Sequence, residues 1–153
     1  MKKTNKGFSL VELIIVIAIM AILAGALAPA LIKYINKSRI SADIQTGNTI
    51  ASAIQTAMTK EAAFDQTPTT TYGEFEATLR ATSLTTLKAE LDSILGTNKM
   101  AGKAKKDVSG GALNGNFYVA INPTTNLVEV YYGSASKAAG YMVYPQVGSK
   151  LTY

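Results

Sequence analysis

The sequence predicts an α+β protein in which one long N-terminal helix, apolar all round at first and amphipathic later, packs against a small antiparallel β-sheet. Three observations predict it. Leu13 to Ile32 are twenty consecutive residues without a charge or a strongly polar side chain. Ile40, Ile44, Gly47, Ala51, Ile54 and Met58 then recur in steps of four and three, a single apolar stripe on a helix. Late in the chain, Asn116 to Asn122 and Leu127 to Tyr132 are rich in β-branched and aromatic residues. The intervening Asn122-Pro123-Thr124-Thr125-Asn126 supplies turn chemistry, which reads as an antiparallel hairpin.

As a helix, the apolar run would span ~30 Å, about one bilayer core. Lys2, Lys3 and Lys6 precede it, and the next charge is Lys33. That asymmetry places the N-terminus in the cytoplasm, although Lys33, Lys37 and Arg39 weaken it. A secretory signal peptide is the alternative, because a basic start and Ala-x-Ala at Ala26 to Ala28 or Ala28 to Ala30 fit its pattern. The run exceeds the ~7–15 residues of a signal-peptide core, and the carboxylate of Glu12 sits at its entrance, so retention in the membrane is favoured. The stripe continues the helix, with Lys37, Asp43, Gln45, Asn48, Ser52 and Lys60 on the opposite face. One helix is expected from about Phe8 to Phe64, ending before Asp65-Gln66-Thr67-Pro68-Thr69-Thr70-Thr71.

Shorter helical signals follow at Tyr72 to Leu79 and after Ser83, where Leu84, Leu87, Leu91, Ile94 and Leu95 form a face closed by Gly96. Asn98 to Gly111 reads as a basic, glycine-containing loop. A third strand at Tyr141 to Val147 carries Pro145, which marks an edge or an early end. The sheet is expected to cover the stripe from Ile40 to Met58.

The chain has 153 residues, and removing the apolar segment leaves roughly 120, enough for one modest core. Lys and Arg total 15 against 10 Asp and Glu, and three of those lysines precede the apolar run. The basic balance is therefore weak support for a nucleic-acid partner. Without Cys or His the chain has no thiol chemistry, and it lacks the commonest metal ligand and the usual base near neutral pH. No metal, cofactor or catalytic residue is expected. Glu74 and Glu76 are close in sequence, yet no nucleophile and base accompany them, and they read as charged surface.

Lys6-Gly7-Phe8-Ser9-Leu10-Val11-Glu12, followed at once by the apolar run, resembles the prepilin peptidase motif of type IV pilins and pseudopilins. The resemblance covers about Lys2 to Pro29. It implies cleavage between Gly7 and Phe8 on the cytoplasmic side, then methylation of the new amino group of Phe8. It also implies a pilin fold divided into a leader (1–7), the membrane and filament-core half of the helix (8–32) and an extracellular globular domain (33–153). The partners it implies are further copies of the chain in a helical homopolymer, a prepilin peptidase, an assembly ATPase and a platform protein. The product would be a surface filament for adhesion, motility or DNA uptake; the alternative is a pseudopilin of a secretion or competence system. A single-pass receptor with a pilin-like leader is a third reading, which a deep pocket in the outer domain would support.

The residues of this segment also have readings of their own. Gly7 lets the backbone enter a protease cleft without a side chain in the way. Glu12 is a carboxylate beside a lipid-length apolar run, costly in lipid unless paired. It reads either as a helix-start carboxylate favoured by the macrodipole, or, as the resemblance implies, as the partner of a Phe8 amine that sets register during assembly. Pro29 cannot donate to the carbonyl of Gly25, so the pair weakens the helix there. That is a kink, or in the family a stretch that unwinds when subunits pack. Gly47 on the stripe implies a close approach of the sheet or a neighbouring helix. Lys99, Lys103, Lys105 and Lys106 read as a solvated basic loop, with phosphate contact as the alternative. Tyr131, Tyr132, Tyr141 and Tyr144 read as core and cross-strand residues. Many pilins close their C-terminal region with a Cys pair, which this chain lacks, so that region must hold by packing and hydrogen bonds.

Overall fold

The computed structural model describes residues 7–68, 72–122 and 124–153. Lys2, Lys3 and Lys6, Thr69 to Thr71 of the expected loop and Pro123 of the expected turn lie outside them. The chain divides into two compact units, one ending at Ile35 and the other Asn36–Tyr153.

Helix α1 runs Leu10–Ala57. It stops short of the expected end at Phe64. No Gly or Pro marks the stop; instead Thr59 and Lys60 donate through their backbone to Thr56 and Ala57, three residues back. The Thr59 hydroxyl also bonds the Thr56 carbonyl at 2.7 Å. Such local side-chain bonding competes with the helical ladder. The chain turns into a separate four-residue helix, α2 (Glu61–Phe64), and the turn lets Ala63 be fully buried.

The Tyr72 to Leu79 signal is also corrected in part. Its start pairs as a short strand, β1 (Gly73–Glu74), and only Phe75–Thr78 is helical, as α3. Helix α4 (Thr85–Leu95) forms after Ser83 as expected, burying Leu87 and Leu91, but Ile94 is exposed. Its N-terminus has no side-chain cap of its own. Gln66 supplies one from a distance, its Oε1 accepting from the amides of Thr86 (2.8 Å) and Leu87 (3.1 Å).

Strands β2 (Phe117–Ile121), β3 (Val128–Tyr132) and β4 (Met142–Tyr144) complete a four-stranded antiparallel sheet in the order β1-β2-β3-β4. The hairpin register pairs Phe117 with Tyr132 and Ile121 with Val128. At its turn the Asn122 side chain accepts from the amides of Thr124 and Thr125, an Asx-type closure, and Asn126 adopts a positive φ of 53°. β4 is an edge strand, as is β1, and it ends at the residue before Pro145, which could not donate to a ladder.

One face of the sheet carries Phe117, Val119, Ile121, Val130, Tyr132 and Val143, which share a buried cluster with Ile40, Ile50, Ala51 and Ile54 of α1. The stripe is thus covered by the chain's own sheet. Gly47 is the point of closest approach: a Cβ built there would lie 2.5 Å from Val143 Cγ1 and 3.5 Å from the Phe117 ring. On the other face Tyr118, Ala120 and Tyr131 are buried with Tyr72, whose ring stacks on Tyr118 at 5.3 Å.

Asp43, expected on the solvent face, is buried instead. Its carboxylate accepts from the amide of Lys103 (2.8 and 3.0 Å) and from that of Ala104 (2.7 Å), while Tyr132 Oη donates to the Ala104 carbonyl at 2.6 Å. A charge taken from water is tolerable when hydrogen bonds of this kind satisfy it. The pair ties the basic loop to the helix and the sheet. Arg80 does the same beside α4. It is buried, ion-paired with Asp92 and Glu76, and donates to the carbonyls of Gly96 (2.6 Å) and Asn98 (2.8 Å). Glu76, expected as plain surface charge, accepts from the Met100 amide at 2.6 Å as well.

The approach of Val143 to Gly47 sets a steric limit. Gly47→Val places two methyl groups where a β-branched strand residue already sits, and is expected to destabilise the chain by about 1–3 kcal/mol. Urea unfolding of the full chain in detergent, followed by tyrosine near-ultraviolet dichroism, measures this. An unchanged midpoint would mean that the sheet does not press on the helix at this point.

Candidate functional site

Gly7, Phe8 and Ser9 precede α1 and are not helical, and Phe8 is 91% exposed. The Gly7–Phe8 bond therefore lies in open, irregular backbone, which a protease can take up without first unwinding a helix. Helical order begins at Leu10, and the local sequence explains why. The Ser9 amide donates to Glu12 Oε2 at 2.9 Å, and Ser9 Oγ accepts from the Val11 amide at 3.4 Å. Ser9 is the N-cap: its hydroxyl meets the second helical amide, and the carboxylate of Glu12, the third helical residue, reaches back to the Ser9 amide as the acidic half of a capping box. The Ser-x-x-Glu spacing was the available signal for this cap, and the composition of the apolar run gave no hint of it.

Glu12 thus has a partner within its own helix start. That gives the carboxylate a fixed place near the positive end of the macrodipole, beside the residue that cleavage would turn into a new amine. Every residue from Gly7 to Ile35 is exposed, including Leu13, Ile17, Leu23, Leu27 and Ile32, and α1 is long and apolar enough to cross a membrane. Helix α1 continues through Gly25 and Pro29 without a break in its assignment. No side chain packs against Gly25: a Cβ built there would have no neighbour within 4 Å.

The match to known families falls on this segment. Residues 2–28 match the family described as the prokaryotic N-terminal methylation motif. The chain carries the leader of type IV pilins and pseudopilins. The α+β architecture, a long N-terminal helix on a four-stranded antiparallel sheet, is consistent with the pilin fold. No curated protein and no solved structure matches the chain. Pilins and pseudopilins are structural subunits, and the leader implies processing by a prepilin peptidase.

The other residues singled out in the sequence sit apart from the leader. Lys99 is ion-paired with Glu74 at 3.5 Å, whereas Lys103, Lys105 and Lys106 are exposed on the loop that Asp43 holds. Tyr131 and Tyr132 are buried, and Tyr141 and Tyr144 donate to or accept from Asp107 and Gln55. Burial, followed by the charge of Glu129, pushes the Tyr131 phenol up to about 12. Burial likewise raises Tyr72 and Tyr132, with neighbouring phenols and Asp43 as the respective further causes. The hydrogen bond from Lys88, opposed by partial burial and reinforced by Arg80, holds the Asp92 carboxyl below its usual range. The tyrosines and Asp92 serve the globular unit's packing, whereas Lys103, Lys105 and Lys106 face solvent.

Because Gly7 is open backbone beside an exposed Phe8, a charged side chain there is expected to block processing without disturbing α1. In a Gly7→Asp variant the full precursor should accumulate in the membrane fraction. Mature protein beginning at Phe8 in that variant, seen by N-terminal sequencing, would contradict the cleavage assignment.

Proposed function

We propose that this chain is the structural subunit of a type IV pilus, held in the membrane by the apolar half of α1 and then assembled through that same half into a surface filament. The observation that carries the reading is the conjunction of an exposed Gly7–Phe8 bond with a helix whose apolar residues from Leu13 to Ile32 are all exposed among the described residues. Residues 1–7 are then the leader, 8–32 the anchor and filament core, and 33–153 the extracellular domain. Cleavage leaves a free amine on Phe8, and a separate transfer from a methyl donor then methylates it. Partners are the prepilin peptidase, an assembly ATPase, a platform protein and further copies of the chain. The filament's task is adhesion, motility or DNA uptake. Pseudopilins share the leader, and the abundance and length of filaments on the cell divide the two.

In this reading Glu12 does two jobs in succession. It caps its own helix through Ser9 in the isolated chain, and during docking it pairs with the Phe8 amine of a neighbour. Apolar helices slide past one another with little preference, so this charge pair sets the register, and removing one partner leaves the other uncompensated at a cost of about 3–5 kcal/mol. Gly25 and Pro29 mark the stretch that yields when helices pack, because the Gly25 carbonyl receives no bond from Pro29.

The capping box and the charge pair are separable. Glu12→Gln keeps a side chain that can reach back to the Ser9 amide but removes the charge. Glu12→Val removes both. Both variants should be cleaved after Gly7 and retained in the membrane, by immunoblot, and both should lose surface filaments by electron microscopy. Normal filaments from Glu12→Gln would reduce Glu12 to a helix cap.

A further inference from the structure

We propose that the end of the second unit where the chain enters it is a docking surface for anionic phospholipid headgroups. Asn36 is the first residue of that unit, and its Nδ2 donates to the Lys106 carbonyl and to Tyr153 Oη, each at 3.1 Å. Lys37 Nζ lies 5.3 Å from the centroid of the Tyr153 ring. The Val108 amide donates to the Lys150 carbonyl at 3.0 Å, which brings the last residues onto the basic loop. The start of this unit's part of α1, the loop through Lys105 and Lys106, and Lys150 therefore meet at one end.

The charges gathered there are unmatched. Lys37, Lys105 and Lys106 are exposed and Lys150 partly so, and none of them takes part in an ion pair among the described residues. Other lysines of the unit do: Lys60 pairs with Glu90, and Lys137 with Glu129, each at 2.5 Å, whereas Lys103, on the same loop, is also unpaired among the described residues. The nearest acid in the sequence, Asp107, is buried, and its oxygens are taken by the amides of Ser109 and Gly111, both at 2.8 Å, and by Tyr141. Four lysines against its one charge leave this end net positive.

The covalent chain selects the ligand. Lys37 follows Ile32 by five residues, ~8 Å along a helix, so an apolar run in lipid leaves this lysine at headgroup depth. Tyr153, 56% exposed beside it, is a side chain suited to that layer, with an apolar ring and a polar tip. Clustered lysines next to a membrane segment attract anionic lipid, within a Debye length of the surface. The surface would hold the globular unit against the membrane until extraction into a filament breaks those contacts.

This inference rests on the reading of residues 13–32 as a membrane segment, and one experiment separates the two. The full chain is reconstituted into vesicles of phosphatidylcholine alone or with one-third phosphatidylglycerol, and treated with a membrane-permeant amine-acylating reagent. Each lysine is followed by mass spectrometry. Lys37, Lys105, Lys106 and Lys150 should react about threefold or more slowly in the anionic vesicles, with the difference fading at ~1 M salt, while Lys60 and Lys137 stay unchanged. Equal rates in both vesicle types, with the chain co-floating, would overturn the docking surface and leave the anchor standing. Protection by duplex DNA in neutral vesicles but none by phosphatidylglycerol would assign the patch to nucleic acid and overturn it too. A chain that floats with neither vesicle would remove the anchor and the inference together.

Discussion

The structure depends on one constraint: an apolar helix surface, Leu13 to Ile32, that is exposed among the described residues. A side chain such as Leu or Ile gains ~1.5–3 kcal/mol when fully buried. From Leu13 to Ile32 that gain is unrealised in the single chain. A surface of this size must be covered, and the two covers that fit an uncharged helix of bilayer length are lipid and copies of itself. A filament subunit uses both in turn. In the proposed filament subunit, the leader before Phe8 and the carboxylate at Glu12 would be the control points on that exchange, one for release into assembly, the other for register.

The second unit solves the same problem internally. From Ile40 onward the apolar residues of α1 narrow to a stripe, and the sheet closes over it with Phe117, Val119 and Val143. Gly47 lets the two surfaces come that close. With no cysteine to tie the remainder down, buried polar groups do so. Asp43 holds the Lys103 to Ala104 backbone, and Arg80 gathers the end of α4. Each is a buried charge satisfied by the backbone groups it ties down, without which its burial would be costly.

Much of this was legible in the sequence because it follows from periodicity. The apolar run, the stripe, the hairpin and its Asn122 turn all depend on spacing or on local turn chemistry. What was not legible depends on residues brought together from far apart. Asp43 looked like a solvent-face residue because helical spacing carries no information about amides sixty residues later. The end of α1 at Ala57 has no Gly or Pro to announce it; Thr59 and Lys60 turn the chain by bonding three residues back, and Ala63 is buried beyond the turn. Strand β1 is two residues long and exists because β2 pairs with it, and Ile94 stays exposed because α4 packs chiefly through Leu87 and Leu91. At the leader, Gly7, Phe8 and Glu12 were visible as a motif. The bond from the Ser9 amide to Glu12 is equally local, carried by the Ser-x-x-Glu spacing.

The most direct test of the account is the chemical state of the first residue in filaments sheared from the surface of cells that make this chain. Intact-mass and N-terminal fragment analysis should find a subunit beginning at Phe8 with a single methyl group on its amine, and retaining the whole run from Leu13 to Ile32. A surface or secreted form that begins after Ala28 or Ala30, or that keeps Met1 to Gly7, would contradict it.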